Sequence, residues 1–560
     1  MPVKSAFTEA TLIVRRSRLE QTVLWWEHQR TGPKRRVPMR SMLIICVAYI
    51  VQDAKRDLLF SELIEWLRDD VPETLWNRLD LHPRWKYDSF LATFNAFVDL
   101  IDDEDSVLRV SADGVIRERP SQLPSRDAIV NALVAASIPD ACHATPVAAI
   151  DSTDLETPAK VQAMTGEFDG DDEHRPDDDT VKKWGTNKDK LLRGPDNRYI
   201  LSADPQARCG YRTVINMNRG TTFIGWDVHV LVDAGWVGAD FYVQFIRGIS
   251  VRAAGSHKGD AGIAVLDSID PRFWPDTLCA DRGYSYARAE RWVLPLLDRG
   301  INWVHDMHKQ QKPERRLLHH PKFTRHRIID GTIFTDALPE RFWALPAFRM
   351  GMTWQEKEDL INQYEERAKW AFRPNGGPRP DGKWQYRGPA YLGHIDCINS
   401  SPHRKKRAGA PITACAPGCS CDDTPLIAAE DHLNIRQKYL YGTRAWASHY
   451  GLRNASESKM ADLKRNHGSM RRGSSLVFGT TANAFLMALR CTAVNVALRR
   501  SAYGDAVDLT TKDPAHVPTR RLRKRSGYAG RHLRNGPKSR PGLRRTKTAG
   551  TPGAKAGRTG

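Results

Sequence analysis

The sequence predicts an α/β fold. Residues 1 to about 115 place apolar side chains at helical intervals. From 146 to about 310, short apolar runs bounded by turn residues alternate with helical stretches. Apolar residues make up 41% of the 560, enough for large buried cores in three or four domains.

The first helical stretches are "MRSMLIICVAYIVQDAKRDLLFSELIEWLRDD" and "YDSFLATFNAFVDLIDDEDSVLRV". Together they define a helical N-terminal module over 1–115, which can contact DNA or simply pack. Periodicity does not separate the two. "PVAAI" at 146–150 then reads as a short buried strand ending at Asp151. The polar, acidic stretch from 160 to about 200 reads as a flexible loop. Its Asp169, Asp171 and Glu173 imitate a calcium loop, but His174 stands where that loop needs Gly and Thr180 where it needs Glu. Residues 221–234 and 240–251 read as two strands joined through Asp-Ala-Gly. "AVLDSI" starts a helix, "PDTLCADRGY" is a strand ending at Asp281, "SYARAERWVLPLLDRG" is a helix and "INWVHDMH" a further strand. The stretch from about 310 to 440 is irregular and basic, and 474–500 is a long apolar core helix.

Charge narrows the partner. With 85 Lys and Arg against 66 Asp and Glu, the chain carries +19, and a polyanion becomes the leading candidate. Fourteen Lys and Arg, with no acid, fall between Arg520 and Gly560, so the rest is close to balanced. The segment 510–560 should be a disordered basic tail, because it has almost no large apolar residues. The longest apolar run, "MLIICVAYIV" at 42–51, is too short to span a membrane and fits a buried helix. The N-terminus lacks a signal-peptide pattern, and nine Cys in so long a chain do not make a disulfide scaffold; a reducing, cytoplasmic compartment is expected.

Asp151 and Asp281 end two strands, and Glu457 lies on a helical stretch. Three acids delivered this way can hold two Mg²⁺, which prefers hard oxygen ligands. Such a pair of ions activates an attacking oxygen and stabilises a leaving oxygen at a phosphodiester. Asp154, three residues past Asp151, is the rival ligand. The helical stretch "YGLRNASESKMADLK" (450–464) adds Tyr450, Arg453, Glu457 and Lys464. At about 100° per residue, these four lie within an arc of roughly 60° on one face. The plainer alternative is a charged surface stripe with Arg453 and Glu457 as an i,i+4 pair.

At these residues the sequence resembles the DDE transposases of bacterial insertion sequences, in the group with a Tyr-Arg-Glu-Lys signature. "AIDST" resembles the family's first-Asp strand and "CADRGY" its second-Asp segment. "ADPQARCGYRT" and "FIGWDVHVLVD" resemble the stretch between them, although Asp227 stands where the family usually has Lys. The resemblance covers roughly 145–500. It implies an RNase H-like catalytic core over 145–310 and 440–505, interrupted by an insertion subdomain over 311–439. It also implies Asp151, Asp281 and Glu457 as catalytic ligands of Mg²⁺ or Mn²⁺, with Tyr450, Arg453 and Lys464 on DNA phosphates. The expected activity is cutting of element ends and joining of the 3′-OH to target DNA. The expected partners are DNA and a second copy of the chain in synapsis, in the nucleoid of a bacterium. A non-catalytic DNA-binding descendant and a metal-dependent nuclease are the alternatives. His229, in the same region, reads as structural.

Cys397, Cys415, Cys419 and Cys421 cluster in the insertion. Four thiolates can close a tetrahedral structural Zn²⁺ site, with His394 and His403 as substitute ligands, or can remain free thiols of a loop. Cys46, Cys142, Cys209, Cys279 and Cys491 lie mostly in apolar surroundings and read as buried thiols.

Overall fold

The computed structural model describes residues 1–29, 32–103, 123–163, 191–212, 222–308, 310–313, 315–316, 326–349, 351–377, 379, 381–413, 415–428, 433–466 and 468–512. The acidic segment 164–190, with its calcium-loop look-alike, and the basic tail from 513 onward lie outside them. The fold is mixed α/β with a mixed central sheet and about 41% helix.

Six strands build that sheet: β1 (Val147–Glu156), β2 (Arg208–Tyr211), β3 (Thr222–Gly235), β4 (Ile246–Ala253), β5 (Thr277–Ala280) and β6 (Asn302–His305). β3 pairs antiparallel with β1, β2 and β4, whereas β1, β5 and β6 run parallel to one another. β1 is longer than its apolar run predicts. Its parallel ladder with β5 stops at Ile150 and Ala280, but its antiparallel ladder with β3 continues to Glu156. Asp151 therefore ends the parallel ladder without ending the strand. β4 begins only at Ile246, so the connection from β3 is longer than a three-residue turn.

Alternation along β1 sends its side chains into two cores. Ala149 and Cys279 face the cluster that also holds the N-terminal helices α1 (Val3–Arg16), α2 (Leu19–Gln29), α3 (Met39–Gln52), α4 (Phe60–Asp69), α5 (Glu73–Arg78), α6 (Tyr87–Ile101) and α7 (Arg126–Ala136). Ile150 and Ala280 face the opposite cluster, formed with α8 (Lys258–Asp267), the short α9 (Arg282–Ser285) and α10 (Val293–Asp298). The sequence predicts one helix over 285–300, but the structure has only a 3₁₀ turn at Ala289–Arg291 and α10 there, and α9 occupies the residues just after Asp281 that read as the end of a strand. Pro295 explains the break: a helix running through it would lose a hydrogen bond and clash with the carbonyl four residues earlier.

α11 (Trp354–Ala368), α12 (Arg444–Tyr450), α13 (Asn454–Ala461) and α14 (Thr480–Tyr503) complete the helices. α14 begins six residues later than its apolar pattern suggests, after Gly479 at φ +85°. It is the one described helix long and apolar enough to cross a membrane, but 89% of that stretch is buried inside the fold. It packs on α3, α7 and β4, which joins the N-terminal helices and the sheet in one core.

The outer edge of β4 is covered by two asparagines. Asn131 on α7 accepts from Ile249 N and donates to Ile249 O, both at 2.8 Å. Asn495 on α14 does the same for Ile246, at 2.9 Å for each bond. Each amide thus stands in for a missing strand and satisfies buried backbone groups. Replacing either with Leu should cost about 1–3 kcal/mol, the penalty for buried unpaired groups. Urea denaturation checks this, and a loss below about 0.5 kcal/mol would mean water replaces the amide.

The described residues of 311–439 hold more regular structure than their composition suggests. "IIDGTIF" forms a tight hairpin between β8 (Arg327–Ile329) and β9 (Thr332–Phe334), the latter two of three strands that begin with β7 (Arg315–Arg316). Asp330 and Gly331 both have positive φ, as a two-residue hairpin turn requires. α11 starts on a capping box of Thr353 and Glu356.

Candidate active site

The carboxyl ends of the three parallel strands carry a row of acids. Ile150 pairs with Ala280, and Ala280 with His305. The next residues are Asp151, Asp281 and Asp306. The structure thus brings together the two aspartates expected from sequence and adds a third. Asp306 is engaged elsewhere: Tyr441 Oη donates to it at 3.1 Å, and Lys312 Nζ lies at 3.9 Å. Its signal was visible, since "INWVHD" is another apolar strand ending in Asp.

Burial pushes the Asp151 carboxyl up to about 6, and the charge of Asp281 pushes the same way, while Lys258 and Arg453 pull it down only in part. Asp154 is the opposite case. Burial works against its charge, but Lys464 at 2.6 Å and Arg212 at 2.9 Å hold it below the usual carboxylate range. Asp154 is held by two cations in direct contact, whereas Asp151 is raised chiefly by burial and then by Asp281, with Arg453 no nearer than 3.6 Å. That difference leaves the Asp151 carboxylate the less satisfied of the two by cations of the chain.

The four signature residues do not lie on one regular helix. α12 ends at Tyr450, a 3₁₀ turn spans Gly451–Arg453, α13 follows, and a π turn covers Asp462–Asn466. Ser456 Oγ donates to Arg453 O at 2.8 Å, the kind of local bond that competes with helix geometry. The break has a consequence for placement, because positions i and i+3 eclipse in a 3₁₀ turn. Arg453 lies 5.5 Å from the Tyr450 ring centroid. α12 is seated on the strand ends: Trp446 Nε1 donates to His305 O at 3.3 Å and Cys279 Sγ to His449 O at 3.2 Å. Tyr450 stacks on Trp446, and burial raises its phenol well above the ordinary value.

Arg453 links the two halves of the site. It lies 3.6 Å from Asp151 and donates to Glu457 Oε1 at 2.6 Å. Burial alone would lower its pKa, but Tyr450, Glu457, Asp151 and Asp281 outweigh that and raise it. Lys464 reaches β1 at Asp154. Glu457 is the outlier, with a side chain 55% exposed and turned to Arg453. Among the described residues, the cysteine quartet is the one group of three or more His, Cys, Asp or Glu whose ligand atoms lie within 4.8 Å of one another. Asp151, Asp281 and Glu457 therefore do not all lie within that distance of one another.

Behind the acids, His229 is fully buried on β3, opposite Ser152. Its Nδ1 lies 2.8 Å from Tyr284 Oη. Burial, with Lys258 and Arg252 nearby, lowers its pKa to about 3, so it is a neutral support for Tyr284. Asp227 accepts from Gly255 N at 2.8 Å and holds the turn after β4. Lys258 is a site residue that sequence reasoning missed. At the start of α8, its ammonium lies 5.8 Å from the Tyr284 ring centroid and its charge acts on Asp151, Asp227 and His229. Nothing in "SHKGD" marks it.

The quartet Cys397, Cys415, Cys419 and Cys421 does converge, and it could hold a metal such as zinc. His394 and His403 are not part of it. Of the other cysteines, Cys46, Cys142, Cys279 and Cys491 are buried and Cys209 is half-buried. The chain matches no known protein-family model and no curated protein.

Proposed function

We propose that the chain is a DNA transposase of the DDE type, which cuts element ends and joins the freed 3′-OH to target DNA. The observation that carries this reading is the acid pair at the ends of two parallel strands. Asp151 and Asp281 stand side by side there, and burial together with the charge of Asp281 raises the Asp151 carboxyl despite Lys258 and Arg453. The mixed sheet, with β1 and β5 each delivering one acid, supports an RNase H-like core. Hard carboxylate oxygens suit Mg²⁺ or Mn²⁺, and Asp151 and Asp281 would hold the ion, with Glu457 as third ligand once it turns from Arg453. A divalent cation held there would activate an attacking water or 3′-OH and stabilise the leaving oxygen.

The chain's own residues do the positioning. Arg453 offers a planar fork to a phosphate and Lys464 a mobile point charge. Tyr450, wedged between Trp446 and Arg453, offers its hydroxyl to a phosphate oxygen. Lys258 adds a second cation beside the acids. Phosphate contacts carry no sequence information, so the N-terminal helices and the insertion are the sources of end recognition. The tail supplies salt-dependent, nonspecific affinity. The partners are DNA and a second copy of the chain, in the cytoplasm of a bacterium.

Glu457 favours a second reading, a DNA-binding protein without catalysis, because its carboxylate faces Arg453 instead of the aspartates. The test is strand cleavage of DNA bearing the flanking terminal repeats, with Mg²⁺ or EDTA, for wild type and Glu457→Ala. Catalysis predicts Mg²⁺-dependent cutting that falls about 10²–10³-fold in the variant with DNA binding intact. Wild-type protein that binds the repeats but cuts under neither condition supports the second reading.

A further inference from the structure

We propose that Cys397, Cys415, Cys419 and Cys421 form a structural Zn²⁺ site that locks the basic loop between the first two ligands. The sulfur positions match the ion. A tetrahedral Zn²⁺ with bonds of about 2.3 Å places its sulfurs about 3.8 Å apart. Here Cys397 and Cys419 lie 3.4 Å apart, Cys415 and Cys421 3.6 Å, and all four within 4.8 Å. All four protein ligands are present, so the site is closed, as structural zinc sites are.

The surroundings fit thiolates. Asn399 Nδ2 donates to Cys419 Sγ at 3.6 Å, the Thr413 hydroxyl lies 3.1 Å from Cys415 Sγ, and the Thr335 hydroxyl 3.1 Å from Cys421 Sγ. Donors of this kind orient ligands and spread their charge. The backbone is shaped to the task. Cys397 ends one two-residue strand, Asp396–Cys397, which pairs with another, Ile412–Thr413, just before Cys415. Cys419 N bonds Ala416 O at 3.3 Å across Pro417 and Gly418, and Gly418 has φ +79°. Pro followed by a residue of positive φ is the type II turn pattern.

Two-residue strands cannot hold a fold by themselves. A metal crosslink among three backbone segments supplies what they lack. Between Cys397 and Cys415 runs "HRKKR" (403–407), held by Arg404 to Asp422 at 3.0 Å, Lys406 to Asp396 at 2.6 Å, Arg404 over the Tyr391 ring at 3.7 Å and Arg407 N to Gly393 O at 3.0 Å. Both acids adjoin ligands, Asp396 preceding Cys397 and Asp422 following Cys421. The metal therefore fixes where this loop sits.

The test uses the full chain purified without chelator. Elemental analysis should find one zinc per chain, and titrating thiols with a mercurial should release it. Co²⁺ exchange should give the thiolate charge-transfer and tetrahedral bands of a four-sulfur site. Cys397→Ser and Cys421→Ser should each lose the metal, while Cys142→Ser keeps it. Trypsin should cut within 404–407 at least tenfold faster after zinc is stripped. Wild-type protein with no zinc and no cobalt spectrum overturns the proposal, as does iron in place of zinc. An unchanged tryptic rate after stripping overturns the role assigned to the metal. None of these readouts uses DNA, so they stand or fall apart from the transposase reading.

Discussion

Asp151→Asn should abolish strand cleavage, by about 10³-fold or more, and yet make the metal-free protein more stable. The two effects have one cause. Asp151 is pushed up to about 6 from the ordinary value of 3.8 by burial and by Asp281. Between those pH values the folded chain holds a proton that the unfolded chain has released. Stability therefore falls as pH rises through this window, and the whole penalty is present above about 6. Two pKa units correspond to about 3 kcal/mol, an upper bound because neighbouring charges relax. Asparagine removes the charge and relieves the strain between the acids. It also removes the oxygen charge that a divalent cation needs. Calorimetry in EDTA should show the variant melting higher than wild type at pH 7.5, with the gap closing near pH 4.5. Mg²⁺ should raise the wild-type melting temperature at pH 7.5 and leave the variant nearly unmoved. A variant that melts lower than wild type at pH 7.5 in EDTA would mean the acid pair is not under repulsion.

How much of this was legible in the sequence depends on how local each signal is. Asp151 and Asp281 were readable because each follows an apolar strand run. The further course of β1 was not, because "STDLE" is polar and is held as strand by β3, some seventy residues away. Asp154 ranks second to Asp151 in the sequence because it lies past the apolar run, but its two cations are not readable there. The hairpin at Asp330 and Gly331 and the capping box at Thr353 and Glu356 were fully local signals, and the basic composition around them hid them. The broken helix over 450–464 was unreadable for a subtler reason: 100° per residue assumes the very regularity that the 3₁₀ and π turns remove. Even so, Arg453 and Lys464 both reach β1. Asn131 and Asn495 look like ordinary polar helix positions, and only the edge of β4 gives them a purpose.

The second large effect expected is on stability. Asp233→Ala should destabilise the fold by about 3–5 kcal/mol, the usual cost of orphaning a buried charge. Asp233 on β3 and Arg247 on β4 are 2% and 4% exposed at their side chains. Asp233 Oδ2 accepts from Arg247 Nε at 2.8 Å, and Oδ1 from Thr145 N at 3.2 Å. Arg247 Nη2 in turn donates to Cys142 O at 2.9 Å and His143 O at 2.8 Å. The pair thus fastens the segment that leads into β1 and so sets where Val147 begins the parallel ladder that ends just before Asp151. Removing the carboxylate leaves a guanidinium inside the protein facing carbonyls and the Phe245 and Phe273 rings, with no anion bonded to it in its place. Replacing both partners, Asp233→Leu with Arg247→Met, should recover much of the loss, because an apolar pair of similar volume carries no desolvation penalty. Urea denaturation of the two single variants and the double variant gives the coupling. If Asp233→Ala costs less than about 1 kcal/mol, water reaches Arg247 and the pair is not what anchors β1.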